Sequence, residues 1–211
     1  MIIPEHNTIF IHTPRTGGTS IERMFDYAGG VDTYDETQGM GQDHSTAREV
    51  KSIIGPHHWD VAFKFGFVRN PWGKMVSMYL YRLSSPFYRS EAHEYENVYR
   101  RENDGQDIDF ETWLTDLPWV DKEVRKQGCY NQLEYFCDEG GQIIVDHIAR
   151  FELFAIEWQY IKKKMNTDKE LIHLNKGHKK KYNYRDYYND QTRALIAERF
   201  DRDIKHFGYK F

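Results

Sequence analysis

Nine consecutive residues near the amino terminus, His12-Thr13-Pro14-Arg15-Thr16-Gly17-Gly18-Thr19-Ser20, gather two glycines, a guanidinium and four hydroxyls. A glycine turn that opens a helix directs backbone N–H groups and the positive end of the helix dipole at one point, where an anion is stabilised. Two glycines alone would equally suit an ordinary strand-to-helix turn. Arg15 and the hydroxyls of Thr16, Thr19 and Ser20 add a fixed charge and three donors, which points to phosphate. A second group is Arg69 in Val68-Arg69-Asn70-Pro71, with Ser77 eight positions after it. Arginine presents a planar fork that matches two phosphate oxygens at once, and at the carboxyl end of a strand it stands where open α/β sheets bind ligands. A surface arginine paired with an acid is the alternative.

What the first loop lacks narrows the phosphate compound. With Thr19 on the hydroxyl position of the nucleotide triphosphatase pattern G-x-x-x-x-G-K-[ST], Gly18 falls on the lysine and His12 on the first glycine. The second strand closes on Val68-Arg69, not on an acid that could hold magnesium. A loop with neither feature suits one phosphate group at this position. Ten histidines are available as a base near neutral pH. His44, in Asp43-His44-Ser45-Thr46, precedes the helix that leads to the second motif. Cys129 and Cys137 match no zinc or redox spacing and read as packed thiols, and no histidine set has ligand spacing, so no metal is expected.

These groups need a scaffold, and the pattern around them supplies one. Thr8-Ile9-Phe10-Ile11 is a strand, and Ile21, Met24, Phe25 and Ala28 form a helical stripe after the loop. The unit repeats as a strand over residues 62–68, then Asn70 as N-cap, Pro71 at the first helical position, and apolar Met75, Val76, Tyr79, Leu80 and Leu83. Between the units Thr46-x-x-Glu49 reads as a capping box for a short helix through Ile54, closed by Gly55-Pro56. Residues 84–107 are polar and Tyr-rich without a period, a candidate acceptor-side lid. Weak helices near 110–114 and 131–136 precede a strand at Ile143-Ile144-Val145, a helix over 152–165 and a strand at Leu171-Ile172-His173-Leu174. A last helix begins at Asn189 or Asp190, lines one face with Ile196, Phe200, Ile204 and Phe207, and ends at Gly208. Such alternation implies an α/β fold with a central parallel sheet flanked by helices.

The 211 residues fit one domain, 1–211. The net charge of −4 argues against general binding to nucleic acid or anionic membrane, and no stretch approaches the ~20 apolar residues needed to cross a bilayer. With no signal peptide after Met1, the expected location is cytoplasmic.

Phe10 through Ser20 resembles the 5′-phosphosulfate loop of sulfotransferases that use 3′-phosphoadenosine 5′-phosphosulfate (PAPS), usually written Pro-Lys-[Thr/Ser]-Gly-Gly-Thr-Ser. Phe67-Val68-Arg69-Asn70-Pro71-Trp72 through Ser77 resembles the same family's 3′-phosphate motif, in which an arginine and a serine eight positions later share that phosphate. The resemblance extends to Asn183-Tyr184-Arg185-Asp186-Tyr187-Tyr188 and to Phe207-Gly208-Tyr209, and is nearest to the carbohydrate-type, family 2-like branch. It implies a P-loop-like three-layer fold, PAPS as co-substrate with the bisphosphate PAP as product, and a hydroxyl-bearing acceptor on a sugar or glycolipid. Arg15, Thr16, Gly17, Gly18, Thr19, Ser20, Arg69 and Ser77 would bind the donor. Related enzymes carry a catalytic histidine in the stretch that corresponds to His44; His57, His58, Asp43 and Glu36 are the other candidates for the base. Lys176, in the basic run Lys176-Gly177-His178-Lys179-Lys180-Lys181, falls beside a loop that closes over the nucleotide in the family. Arg15 replaces the usual loop lysine: it can neutralise charge on the bridging oxygen but cannot donate a proton. A P-loop-type small-molecule kinase and a non-catalytic nucleotide-binding module are the alternative readings.

Overall fold

The computed structural model describes residues 1–26, 44–84, 100, 102–115, 131–170 and 182–211. Among these residues the centre is a four-stranded sheet in the order β1 (Ile2–Ile3), β2 (Thr8–Ile11), β3 (Phe63–Val68), β4 (His147–Arg150). β2, β3 and β4 run parallel, with Ile11 opposite Gly66 and Val68 opposite Arg150. β1 is antiparallel to β2, so the sheet is mostly rather than wholly parallel. The connection through the Pro4–His6 turn and Asn7 is far too short for a crossover, and adjacent strands joined that closely can only form a hairpin.

Apolar side chains alternate across the sheet and build a core on each face. Ile9, Ile11 and Val68 pack with α2 (Ala47–Val61) and α3 (Pro71–Ser84), joined by α4 (Phe110–Thr115), α6 (Asp190–Arg199) and α7 (Asp201–Phe207). Phe10, Phe65 and Phe67 face the other way, onto Ile21 and Met24 of α1 (Gly18–Met24) and Trp158 and Ile161 of α5 (Phe154–Met165).

Helix starts follow local chemistry. Thr46 and Glu49 form the expected capping box, with the Thr46 N–H donating to Glu49 Oε2 at 2.7 Å. Asn70 Oδ1 accepts from the Trp72 N–H at 3.1 Å at the head of α3, and Asn189 Oδ1 from the Thr192 N–H at 2.8 Å at the head of α6.

Other boundaries differ from the expectation. Gly55, at φ 80° and ψ 159°, ends the first helical segment of α2 where expected, but a second segment not expected from the sequence follows it to Val61. The last helix is two, α6 and α7, broken at Phe200, with Gly208 closing the second. The third parallel strand is His147–Arg150 and not Ile143-Ile144-Val145. The turn over residues 138–141 folds Ile143 back into an isolated bridge with Cys137, which leaves it exposed, while Ala149 is the residue buried against β3. The expected strand at 171–174, Ala28, Cys129, Asp43, Glu36 and Lys176 lie outside the described residues, as does most of the candidate lid. No helix among the described residues is long and apolar enough to cross a membrane.

Candidate functional site

Because β2 and β3 are neighbours and parallel, the glycine loop and the Arg69 turn leave the same edge of the sheet side by side. The loop is shaped from within. Thr13 Oγ1 donates to the Phe67 carbonyl and lies 2.9 Å from Thr16 Oγ1, while Thr16 Oγ1 donates to the Thr13 carbonyl at 2.8 Å. Both threonines are fully buried, so the Thr16 hydroxyl braces the loop. Gly17 has φ 88°, and a Cβ there would also press on Phe154 at 2.9 Å; a Cβ on Gly18 would fall inside the His12 imidazole. Glycine is required at position 17 by backbone conformation and close approach, and at position 18 by close approach alone. Thr19 and Ser20 stand half-buried in the first turn of α1, where the Ser20 N–H donates to the Gly17 carbonyl at 3.0 Å.

The two motifs grip each other. Arg15 Nη2 donates to Ser77 Oγ at 3.2 Å, and Arg69 Nη1 donates to the Arg15 carbonyl at 3.2 Å. Both guanidiniums lie on aromatic faces, Arg15 over Tyr81 at 4.2 Å and Arg69 over Phe151 at 4.5 Å. Arg15 itself holds φ 64°, an uncommon conformation for a side chain of its size.

Residues far away in the chain hold Arg69 in place. The Arg69 N–H donates to Gln132 Oε1 at 2.9 Å, and Gln132 Nε2 donates back to the Arg69 carbonyl at 2.8 Å and to Asp203 Oδ2 at 3.0 Å. Asp203 is fully buried and accepts the N–H groups of Gln132 and Leu133 as well. Burial raises its carboxyl above the usual carboxylate range, against the pull of those N–H groups and of Lys74. Sequence reasoning missed Gln132 and Asp203; nothing local signals a pair that meets only after folding.

His44 reaches the loop. Its Nδ1 lies 3.0 Å from the His12 carbonyl, and the two imidazole rings meet edge to face at 4.4 Å. A carbonyl can only accept, so Nδ1 is the donor, and in the neutral imidazole Nε2 then carries the lone pair. At φ 77° the His44 backbone is in the left-handed region, uncommon for a residue that carries a side chain. Thr46, not His44, caps α2. His57 and His58 are exposed on the far half of α2; His58 shares a groove with Ile2, Asn7 and Ala62, at the opposite edge of the sheet from the loop. Among the described residues no cluster of His, Cys, Asp and Glu is arranged to hold a metal ion.

Behind His44 lies a buried pair that the sequence did not reveal. His12 Nδ1 is 2.7 Å from Glu22 Oε1. Burial, with the amino terminus and Arg15 nearby, lowers the His12 imidazole to about 3, and burial raises the Glu22 carboxyl. Both shifts oppose charge, so the contact is a hydrogen bond rather than an ion pair. The unfolded chain therefore takes up a proton near pH 6.5 that the folded chain refuses. This contribution to stability is complete above pH 6.5 and is lost as pH falls, by up to about 1.4 kcal/mol per pH unit. Glu22 works in the opposite sense, contributing stability that is lost as pH rises through its folded value, and offsets part of this. The melting temperature is expected to drop by roughly 4–8 °C between pH 7 and pH 5 and His12→Gln to flatten that slope; an equal slope in the variant would mean that His12 is charged in the folded chain.

A family model described as the sulfotransferase family matches residues 1–210, nearly the whole chain. No curated protein and no solved structure matches it.

Proposed function

The chain belongs to the sulfotransferase family, and on that premise we propose that it moves a sulfuryl group from PAPS to a hydroxyl of a carbohydrate or glycolipid acceptor. The family domain supports a transferase activity; donor and acceptor are the proposal. One observation carries the choice of donor. The loop and the Arg69 motif emerge from adjacent parallel strands and touch through Arg15, Ser77 and Arg69, which suits a nucleotide with two separate phosphate groups. The Ser77 hydroxyl accepts from Arg15 and keeps its own proton to donate, so it can join Arg69 on the 3′-phosphate. In this reading residues 1–211 form one P-loop-like domain, and Lys176 and the segment 84–107 add the contacts that close over donor and acceptor.

When bound, the donor supplies the sulfuryl group and leaves as the bisphosphate. The protein's part in a loose, in-line transfer is to position and to balance charge. Arg15 neutralises the bridging oxygen as its bond to sulfur breaks. Nε2 of His44 takes the acceptor's hydroxyl proton as the new sulfur–oxygen bond forms. Gly17, Gly18, Thr19 and Ser20 hold the 5′ side, and Arg69 with Ser77 the 3′ side.

Thermal shift tests the donor. At about a hundred times its dissociation constant, 3′,5′-bisphosphoadenosine is expected to add about 2.7 kcal/mol, or roughly 5–10 °C. AMP and ATP, with or without magnesium, should do less because neither fills both subsites. Stabilisation by magnesium-ATP and none by the bisphosphate would replace this reading with a small-molecule kinase. Labelled donor offered to sugars and glycolipids then identifies the acceptor, and binding without transfer to any hydroxyl would favour a non-catalytic module.

A further inference from the structure

The turn after β4 belongs to neither phosphate motif, yet it touches both. The face of Phe151 carries the Arg69 guanidinium at 4.5 Å. The edge of the same ring, at Cε2, stands 3.2 Å from the place a Cβ on Gly17 would occupy. The next residue, Glu152, accepts the Asn70 N–H at 2.6 Å through Oε1 and lies 3.4 Å from the Tyr209 hydroxyl through Oε2. The residue before, Arg150, donates to the Phe207 carbonyl. This turn reaches both motifs because β4 pairs with β3 in the register that sets Arg150 beside Val68, the residue before Arg69.

A guanidinium whose carbon sits over the face of a ring is attracted there by the ring's negative face, so Phe151 fixes where the Arg69 head group lies. A second contact, from Nη1 to the Arg15 carbonyl, fixes how the fork is turned at that place. The remaining donors are left in a defined direction. The ring face that holds Arg69 is covered, so on that side Phe151 is no platform for a nucleobase. Its edge, meanwhile, bounds the glycine loop and leaves residue 17 no room for a side chain.

We propose that Phe151 is a positioning residue that seats the Arg69 fork, and through it sets the preference of this site for a 3′-phosphorylated adenosine nucleotide over one that carries only the 5′-phosphate. The inference rests on the donor reading above, and its test separates the two. Dissociation constants of 3′,5′-bisphosphoadenosine and AMP are measured for the full chain, for Phe151→Leu and for Phe151→Tyr, with a melting curve beside each. The wild-type chain should prefer the bisphosphate. Phe151→Leu should narrow that preference by about five- to tenfold, the worth of a partly desolvated cation–π contact, and Phe151→Tyr, which keeps the ring, should retain it within about twofold. In an Arg69→Ala background, Phe151→Leu should have no further effect on the preference. Equal weakening of both nucleotides, or an unchanged preference, overturns the proposal and leaves the donor reading standing. A wild-type chain without the preference overturns the donor reading and this proposal with it. Should the leucine variant melt too low to assay, Phe151→Met carries the same comparison.

Discussion

His44→Ala is expected to lower turnover by about 10²–10⁴-fold, the usual worth of a positioned general base, while affinity for 3′,5′-bisphosphoadenosine stays within about threefold. The split follows from geometry. The His44 imidazole is fixed by the His12 carbonyl through Nδ1, and this leaves Nε2 as the basic nitrogen. The groups assigned to the nucleotide are other ones, Arg15 and the glycine loop on the 5′ side and Arg69 with Ser77 on the 3′ side. Alanine meets the same left-handed backbone at position 44 as histidine does, so the fold should be kept. A melting curve beside the rate checks this. Turnover within twofold of wild type, on the true acceptor, would remove His44 from the mechanism, and a melting temperature collapsed in step with the rate would make its role structural.

Arg69→Ala should weaken binding of the bisphosphate by about 10–100-fold, since it removes a charge-assisted contact worth roughly 1.5–3 kcal/mol. AMP should lose much less, because it has no 3′-phosphate to miss. Arg69→Lys keeps the charge and loses the fork, and should recover only part of the affinity. Ser77→Ala should act in the same direction with a smaller effect, although it also takes away the oxygen on which Arg15 rests. The measurement is a direct titration of each variant with both nucleotides. Unchanged affinity in both Arg69→Ala and Ser77→Ala would make the eight-residue spacing an accident of sequence.

Much of the site was legible because its parts are local. The strand at residues 8–11, the glycine turn, and Asn70-Pro71 at the head of α3 are each specified within a few residues, and each stands in the structure as read. So does the capping box of Thr46 and Glu49. The short turn between β1 and β2 also has a local cause in Pro4 and the left-handed Asn7, but a strand of two residues is too short to show a period, and its antiparallel pairing is defined only by β2 beside it.

What residue types and spacing determined by themselves was therefore the inventory: two phosphate-suited groups, the strands that lead into them and the caps that start the helices behind them. Backbone N–H groups near a helix start are satisfied by side chains one to three positions away, so such features survive in any tertiary context. Tertiary structure decided how that inventory meets. β4 formed at His147–Arg150, where pairing with β3 buries Ala149, although Ile143-Ile144-Val145 has the stronger strand composition. Strand propensity reports how well a side chain suits a half-buried surface, and which segment has that surface beside it is settled only by the sheet. The register of that one strand brings Phe151 under Arg69, and the packing of α7 brings Asp203 to Gln132, which clamps the Arg69 backbone. No local pattern encodes those contacts: their partners lie tens of residues apart, and a buried carboxylate such as Asp203 is tolerable only once the N–H groups it accepts have been folded around it.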